Sequence, residues 1–171
     1  MKTLCLLRHA KSGWDDPSLP DHDRPLMPRG VEAAALVGRH LKERGLRPDL
    51  IVCSTARRAV DTLALVLDAL GRGMAVEHDR GIYLAGAPTL LERVRAAPDS
   101  AGTLMLVGHN PDMHHLAQHL AGRGEAADLR AVAEKFPTAG CAVLTFDTPH
   151  WREVGPGAGR LVEFVRPRLL A

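Results

Sequence analysis

Residues 3–9 read Thr3-Leu4-Cys5-Leu6-Leu7-Arg8-His9. The run 3–7 is continuously apolar, bounded by charge and too short for a buried helix. It therefore predicts a strand covered on both faces, as in the centre of a parallel sheet. Two further runs have the same character, 49–53 (DLIVC) and 103–107 (TLMLV). Between them the apolar period changes to that of a helix. Val31, Ala34, Ala35, Gly38 and Leu41 share one face over 30–44, closed by Gly45. Ala59, Leu63, Val66, Leu67 and Leu70 do so after Ser54, which stands where an N-cap belongs, and Gly71 ends that helix.

Residues 88–97 form a helix with Pro88 near its start, and Asn110-Pro111 caps a helix carrying Met113, Leu116, Ala117 and Leu120. Residues 74–77 fit an edge strand, and 122–135 fit another short helix. Cys141–Phe146 and 161–165 fit two last strands, joined through the Pro/Gly-rich stretch 148–159 and paired as an antiparallel hairpin. Strands alternating with helices predict one α/β domain over residues 1–171, a three-layer arrangement with a mainly parallel sheet and helices on both faces. Residues 11–28 are polar, with Pro and Asp and no apolar period. They form a long loop over the end of the first strand, and loops of that length are usually functional.

The bulk composition narrows the function. The chain has 171 residues, 46% hydrophobic and 25% charged, which suits one soluble domain with a real core. A net charge of +2, with basic residues scattered and offset by 20 acidic ones, argues against nucleic acid. No apolar run is long enough to span a membrane, and the first strand has the wrong flanks for a signal peptide. Cys5, Cys53 and Cys141 are odd in number, far apart and in apolar surroundings, as expected of reduced thiols in a cytoplasmic protein. Cys53 lacks the arginine spacing of a thiol phosphatase, and the glycine turn at 155–159 lacks a Lys-Ser/Thr. His115 and His119 lie four apart but have no Glu or Cys partner pattern for a metal, so they and His114 are read as surface residues. His22, His40, His78 and His150 are read the same way.

The chemistry gathers where the three apolar strands end. The first runs into Arg8-His9, the second into Ser54-Thr55-Ala56-Arg57, the third into Gly108-His109-Asn110. Ligands of open α/β sheets bind beyond the carboxyl ends of the strands. Neighbouring strands would thus bring two histidines and two arginines to one crevice. Such a cluster is costly unless an anion completes it. Phosphate suits, because the guanidinium fork matches two of its oxygens and helix N-termini after Ser54 and Asn110 add donors. Nearby arginines keep His9 neutral and nucleophilic, and a phosphohistidine intermediate divides the transfer into two easier steps. Arg8, Arg57 and His109 would stabilise the equatorial oxygens. Lys11 and Arg58 are expected to face solvent.

These residues resemble the histidine phosphatase, or phosphoglycerate mutase-like, superfamily. Arg8-His9-Ala10 is similar to its Arg-His-Gly motif, with Ala in place of Gly. Arg8-His9-Ala10-Lys11-Ser12, Asp23-Arg24-Pro25-Leu26 and Arg29-Gly30 resemble the SixA-type phosphohistidine phosphatase branch. Ser54 to Ala59 with Thr62 resembles the second arginine motif, and Leu106 to Pro111 the second histidine motif. The resemblance implies His9 as the phosphorylated residue, a phosphate pocket of Arg8, Arg57 and His109, and a further contact from Arg24. Ser12 is a weaker candidate of the same kind.

The interval between Arg57 and His109 is too short for the helical cap of larger members, which implies an open site able to admit a protein surface. The general acid that many members place in that interval has no clear match; Glu77, Asp79, Asp15 and Asp16 are the candidates. An alkoxide leaving group needs that proton, whereas imidazole, with a pKa near ~6.5, leaves more readily. Phosphohistidine in a signalling or phosphotransfer protein is therefore the expected substrate. A phosphatase for a small phosphorylated metabolite and a non-catalytic phosphate-binding module are the alternatives. No metal or other cofactor is called for, because arginine and histidine supply the positive charge.

Overall fold

In the computed structural model, which describes residues 1–170, the opening run is strand β1 (Lys2–Arg8), with residues 4 to 7 fully buried. The chain continues through α1 (Pro28–Glu43), β2 (Leu50–Cys53), α2 (Arg57–Leu70), β3 (Ala75–His78) and α3 (Ala87–Arg95). It then forms β4 (Thr103–Gly108), α4 (Asp112–Leu120), β5 (Ala121–Gly124), α5 (Ala126–Glu134), β6 (Cys141–Phe146) and β7 (Gly159–Val165). The described strands make one sheet in the order β3-β2-β4-β1-β6-β7-β5. β3, β2, β4 and β1 are parallel. β6 runs antiparallel to β1, β7 antiparallel to β6, and β5 parallel to β7. This is the expected α/β architecture with a mostly parallel sheet, and no described helix is long and apolar enough to cross a membrane.

Side chains alternate across a strand, so each apolar run supplies two cores. Leu4, Leu6, Val52, Leu104 and Leu106 face α3 and α4 through Leu90, Val94, Met113 and Leu116. Cys5, Leu7, Ile51, Met105 and Val107 face α1 and α2 through Ala34, Val37, Leu63 and Val66. Full burial of such a side chain contributes about 1.5–3 kcal/mol, and here both faces of three adjacent strands do so. Burial also pushes the Cys53 and Cys141 thiols up to about 12, so they act as core residues and not as nucleophiles.

Two regions differ from the sequence reading. Of residues 122–135, expected to form a short helix, 122–124 belong instead to the edge strand β5, and α5 begins only at Ala126. A Cβ on Gly122 would lie 1.9 Å from the Gly157 carbonyl oxygen. The glycine permits this approach to the 155–159 turn, a contact with no periodic signature. The 148–159 stretch is also more than a turn, because Trp151 is fully buried and donates its indole N–H to Ala101 O at 2.7 Å.

The long loop folds back on itself. Ser12 bridges to Leu26, Gly13 N donates to Pro25 O at 3.1 Å, and Met27 N donates to Lys11 O at 2.9 Å. α1 closes on this pair of arms through Gly30, where a Cβ would meet Lys11 O at 2.2 Å. The pinned arms return residues 21–24, which include a single 3-10 turn, to the carboxyl ends of the strands.

Candidate active site

Arg8 at the end of β1 is in register with Gly108 of β4, and Cys53 of β2 with Val107, so the three strand ends are immediate neighbours. His9 continues β1 by donating its backbone N–H to Gly108 O at 3.0 Å, while its own carbonyl accepts from Ala139 N at 3.0 Å. Ala10 N donates to Thr62 Oγ1 at 2.9 Å, and that hydroxyl donates to Arg58 O at 2.7 Å. The residue after the key histidine is thereby clamped to the first turn of α2. His9 is 7% exposed and His109 1%, with ring centroids 5.2 Å apart. They stand together in a cleft of about 290 Å³, lined also by Arg8, Lys11, Ser12, Trp14, Arg24, Arg58, Leu84, Asn110 and Thr138.

The second arginine is corrected by one position. The sequence assigns it to Arg57, but that side chain is 57% exposed, with Nε 3.4 Å from Asp61 Oδ2 one turn further along. Arg58, expected to face solvent, is 3% exposed and lines the cleft. Successive helical residues point about 100° apart. Position 58 lies above Thr62 and Val66 on the buried face, whereas 57 lies above Asp61 on the wet one. The register of 58 with 62 and 66 was the available signal. Ser54 does not cap α2 either. Its Oγ accepts from Ala56 N at 3.2 Å and bonds His109 Nε2 at 2.7 Å.

Arg24 does reach the cleft. Its guanidinium donates to Asp21 Oδ1 (3.0 Å), Ser12 Oγ (2.9 Å) and Gly13 O (3.4 Å), and lies 3.7 Å from the centre of the Trp14 ring. Asp21 was not singled out from the sequence, yet it joins the arginines from behind. It accepts from Arg24, from Arg58 NH2 at 2.9 Å and from the Tyr83 hydroxyl. Although partial burial raises its pKa, those donors hold it down to about 2. Tyr83 packs edge-on against His109 and His22, and His22 Nε2 bonds Thr55 Oγ1 at 2.8 Å, so His22 is not a free surface residue. His40 pairs with Glu163 and His150 with Asp99, again unlike the sequence reading. Asp21 is joined to Arg58, Tyr83 to Asp21 and His22 to Thr55 across long sequence separations, which leave no local pattern. Leu84, at the cleft rim, is half exposed with φ 52°, a conformation unusual for a bulky side chain.

None of the four acid candidates lines the cleft. Glu77 and Asp79 both pair with Arg93, and Asp79 also caps Gly81 N at 2.7 Å. Asp15 is exposed and Asp16 accepts from Ser18. Among the described residues the cleft therefore has basic and neutral walls, with Asp21 behind two of the arginines. No three His, Cys, Asp or Glu side chains among the described residues converge as a metal site requires.

Protonation is set by burial and by neighbouring charge. His9 Nδ1 lies 2.7 Å from Ala10 O, which accepts its proton and leaves Nε2 as a lone pair. Desolvation first, then His109, Arg58 and Arg8, pull the His9 pKa down to about 3 against the Ala10 bond. Desolvation and Arg58 pull His109 down to about 4. The fully buried Ser54 hydroxyl has no acceptor among the described residues other than His109 Nε2, so its proton goes there, which puts the ring proton on Nδ1. That Nδ1, Arg8 Nε and Arg58 Nε are buried without a partner. Unmatched buried polar nitrogens are uncommon, and all three belong to residues that line the cleft.

In the unfolded chain both histidines protonate near ~6.5. Between that pH and about 4 the unfolded chain binds protons that the folded chain refuses. Stability should fall on acidification through that window, by up to about 1.4 kcal/mol per pH unit for each group. The urea midpoint, measured from pH 7 to 4.5, should drop steeply in the wild type and less in His9→Gln/His109→Gln. Equal slopes in the two proteins would refute the assignment.

A model of the histidine phosphatase superfamily (branch 1) matches residues 4–83. The uncharacterized protein Rv1276c of Mycobacterium tuberculosis (strain ATCC 25618 / H37Rv) is 41% identical over 165 residues, covering 95% of this chain and all of that one. The chain belongs to the histidine phosphatase superfamily. It is thus a hydrolase that acts on phosphate, built on this superfamily's fold. The crystal structure of a protein from Agrobacterium tumefaciens, provisionally named phosphohistidine phosphatase SixA, superposes with a TM-score of 0.83 at 32% identity, over 97% of this chain and 98% of that one. A protein histidine phosphatase SixA complexed with tungstate shares the fold, with a TM-score of 0.79 at 20% identity over 99% of both chains.

Proposed function

We propose that this histidine phosphatase hydrolyses phosphohistidine in a protein, carrying the phosphoryl group transiently on His9 Nε2. The observation that carries the reading is the free Nε2 of His9, fixed by the Nδ1–Ala10 O bond, in a cleft whose residues Arg8, Arg58 and His109 each keep one buried nitrogen without a partner. Nε2 attacks phosphorus, and the P–N bond to the substrate ring breaks with its electron pair returning to that nitrogen. With its far nitrogen protonated, the substrate leaves as neutral imidazole. Water then attacks phosphorus, the bond to Nε2 breaks, and inorganic phosphate takes the water's protons. Arg8, Arg58 and His109 Nδ1–H hold the equatorial oxygens throughout, and Arg24 adds a donor from the loop.

The substrate class follows from what the cleft does not offer. No described carboxylate lines it, and Asp21, held at about 2, stays ionised. Alkyl phosphates would lose a general acid, a contribution of roughly 10²–10⁴-fold. The provisional name of the Agrobacterium tumefaciens relative agrees with this choice. The test compares peptides of one sequence carrying phosphohistidine or phosphoserine. Phosphohistidine should be hydrolysed with kcat/KM at least about 10²-fold higher. Faster turnover of phosphoserine or of sugar phosphates would assign the enzyme to phosphate esters instead.

A further inference from the structure

The cleft does not end at its phosphate donors. Lys11 and Thr138, on its wall, also line a neighbouring groove of about 280 Å³ that carries Arg29 and Arg168. Arg168 and Pro137 continue it into a second hollow of about 300 Å³ beside Lys135 and Arg166. Five basic residues thus follow one another along a track that starts at His9. None of the five forms an ion pair with a described residue. Lys11, Arg29, Lys135 and Arg168 are exposed, and Arg166 Nε is buried without a partner. Glu134 is the one carboxylate among the described lining residues.

The positions come from four separate places: the loop after β1, the first turn of α1, the end of α5 and the segment after β7. On a chain with a net charge of only +2, five cations on one side of the active site are a local excess. They repel one another, and only a polyanion removes that cost over the whole length of the track. We propose that this groove binds an acidic segment of the phosphorylated protein, flanking the phosphohistidine, while the phosphoryl group sits at His9. The inference rests on the phosphohistidine-protein reading and adds the partner's surface chemistry to it. The groove walls are Pro, Thr and aliphatic side chains without an aromatic platform for bases, and a hollow fits a peptide better than a flat bilayer.

Exposed charges around a site act mainly on encounter and on salt dependence. The test uses a fluorescein-labelled Glu-rich peptide, the same peptide with Gln for Glu, oligothymidylate and phosphatidylserine vesicles. Each is titrated into wild type and into Arg29→Glu/Arg168→Glu, a variant outside the catalytic machinery. The Glu peptide should bind wild type about tenfold or more tighter than the Gln peptide at low salt, and the variant should lose that preference. With phosphohistidine built into both peptides, the same preference should appear in KM, with kcat and the hydrolysis of free phosphoramidate unchanged. Equal binding of the Glu and Gln peptides, or tighter binding of oligothymidylate or vesicles, would overturn the inference. Hydrolysis of phosphate esters without phosphohistidine turnover would refute only the substrate reading, because peptide binding reads the groove without catalysis.

Discussion

His9→Ala should be inactive on every phosphorylated substrate, with turnover down by about 10⁴-fold or more, because the replacement removes the atom that accepts the phosphoryl group. In wild type, mixing with a radiolabelled substrate and quenching in base should trap an acid-labile, base-stable protein phosphate. The label should be missing from His9→Ala, whose circular dichroism should match wild type. His109→Ala separates the two histidines. It loses a donor to the equatorial oxygens, so its rate should fall while its quenched protein still carries label. Its Nε2 is taken by Ser54 Oγ and its pKa sits at about 4, which suits a neutral hydrogen-bond donor and not a second nucleophile. Label persisting in His9→Ala would move the nucleophile elsewhere and undo the proposed mechanism.

The second large effect is the contrast between neighbouring arginines. Arg58→Ala should lower kcat by about 10²–10³-fold, the usual loss when one donor to a developing oxyanion is removed. Arg57→Ala should stay within about threefold of wild type, since it gives up only an exposed pair with Asp61 that contributes little. Because Arg58 also donates to Asp21 O and Oδ2, its loss could loosen the 21–24 turn. Arg58→Lys keeps the charge and loses the planar fork, so a partial recovery of KM with kcat still depressed would place the effect on phosphate geometry. Equal losses for Arg57→Ala and Arg58→Ala would return the assignment to position 57.

That contrast also shows how far residue patterns reach. The apolar runs at 3–7, 49–53 and 103–107 are strands because no other element buries so short a run on both faces, and the helices between them follow from stripes such as Ala59-Leu63-Val66-Leu70. From that alternation came the layered sheet, and from the residues at its strand ends came His9, Arg8 and His109 in one cleft. Each of these features is local: burial writes its period into the chain where it occurs.

The remainder depended on packing between distant segments. At the first turn of α2, two arginines stand side by side; the 58-62-66 register marks the inner face, but that this face meets the end of β1, through Thr62 and Ala10, is decided only by packing. Asp21 and Tyr83 are sixty-two positions apart yet bonded, and the basic groove is assembled from four separate segments. The edge strand β5 exists because Gly122 lets a backbone pass, which no side-chain period records. Periodicity reports which face of an element is dry; it carries no information about which other element dries it, and that choice is made only when the chain has closed on itself.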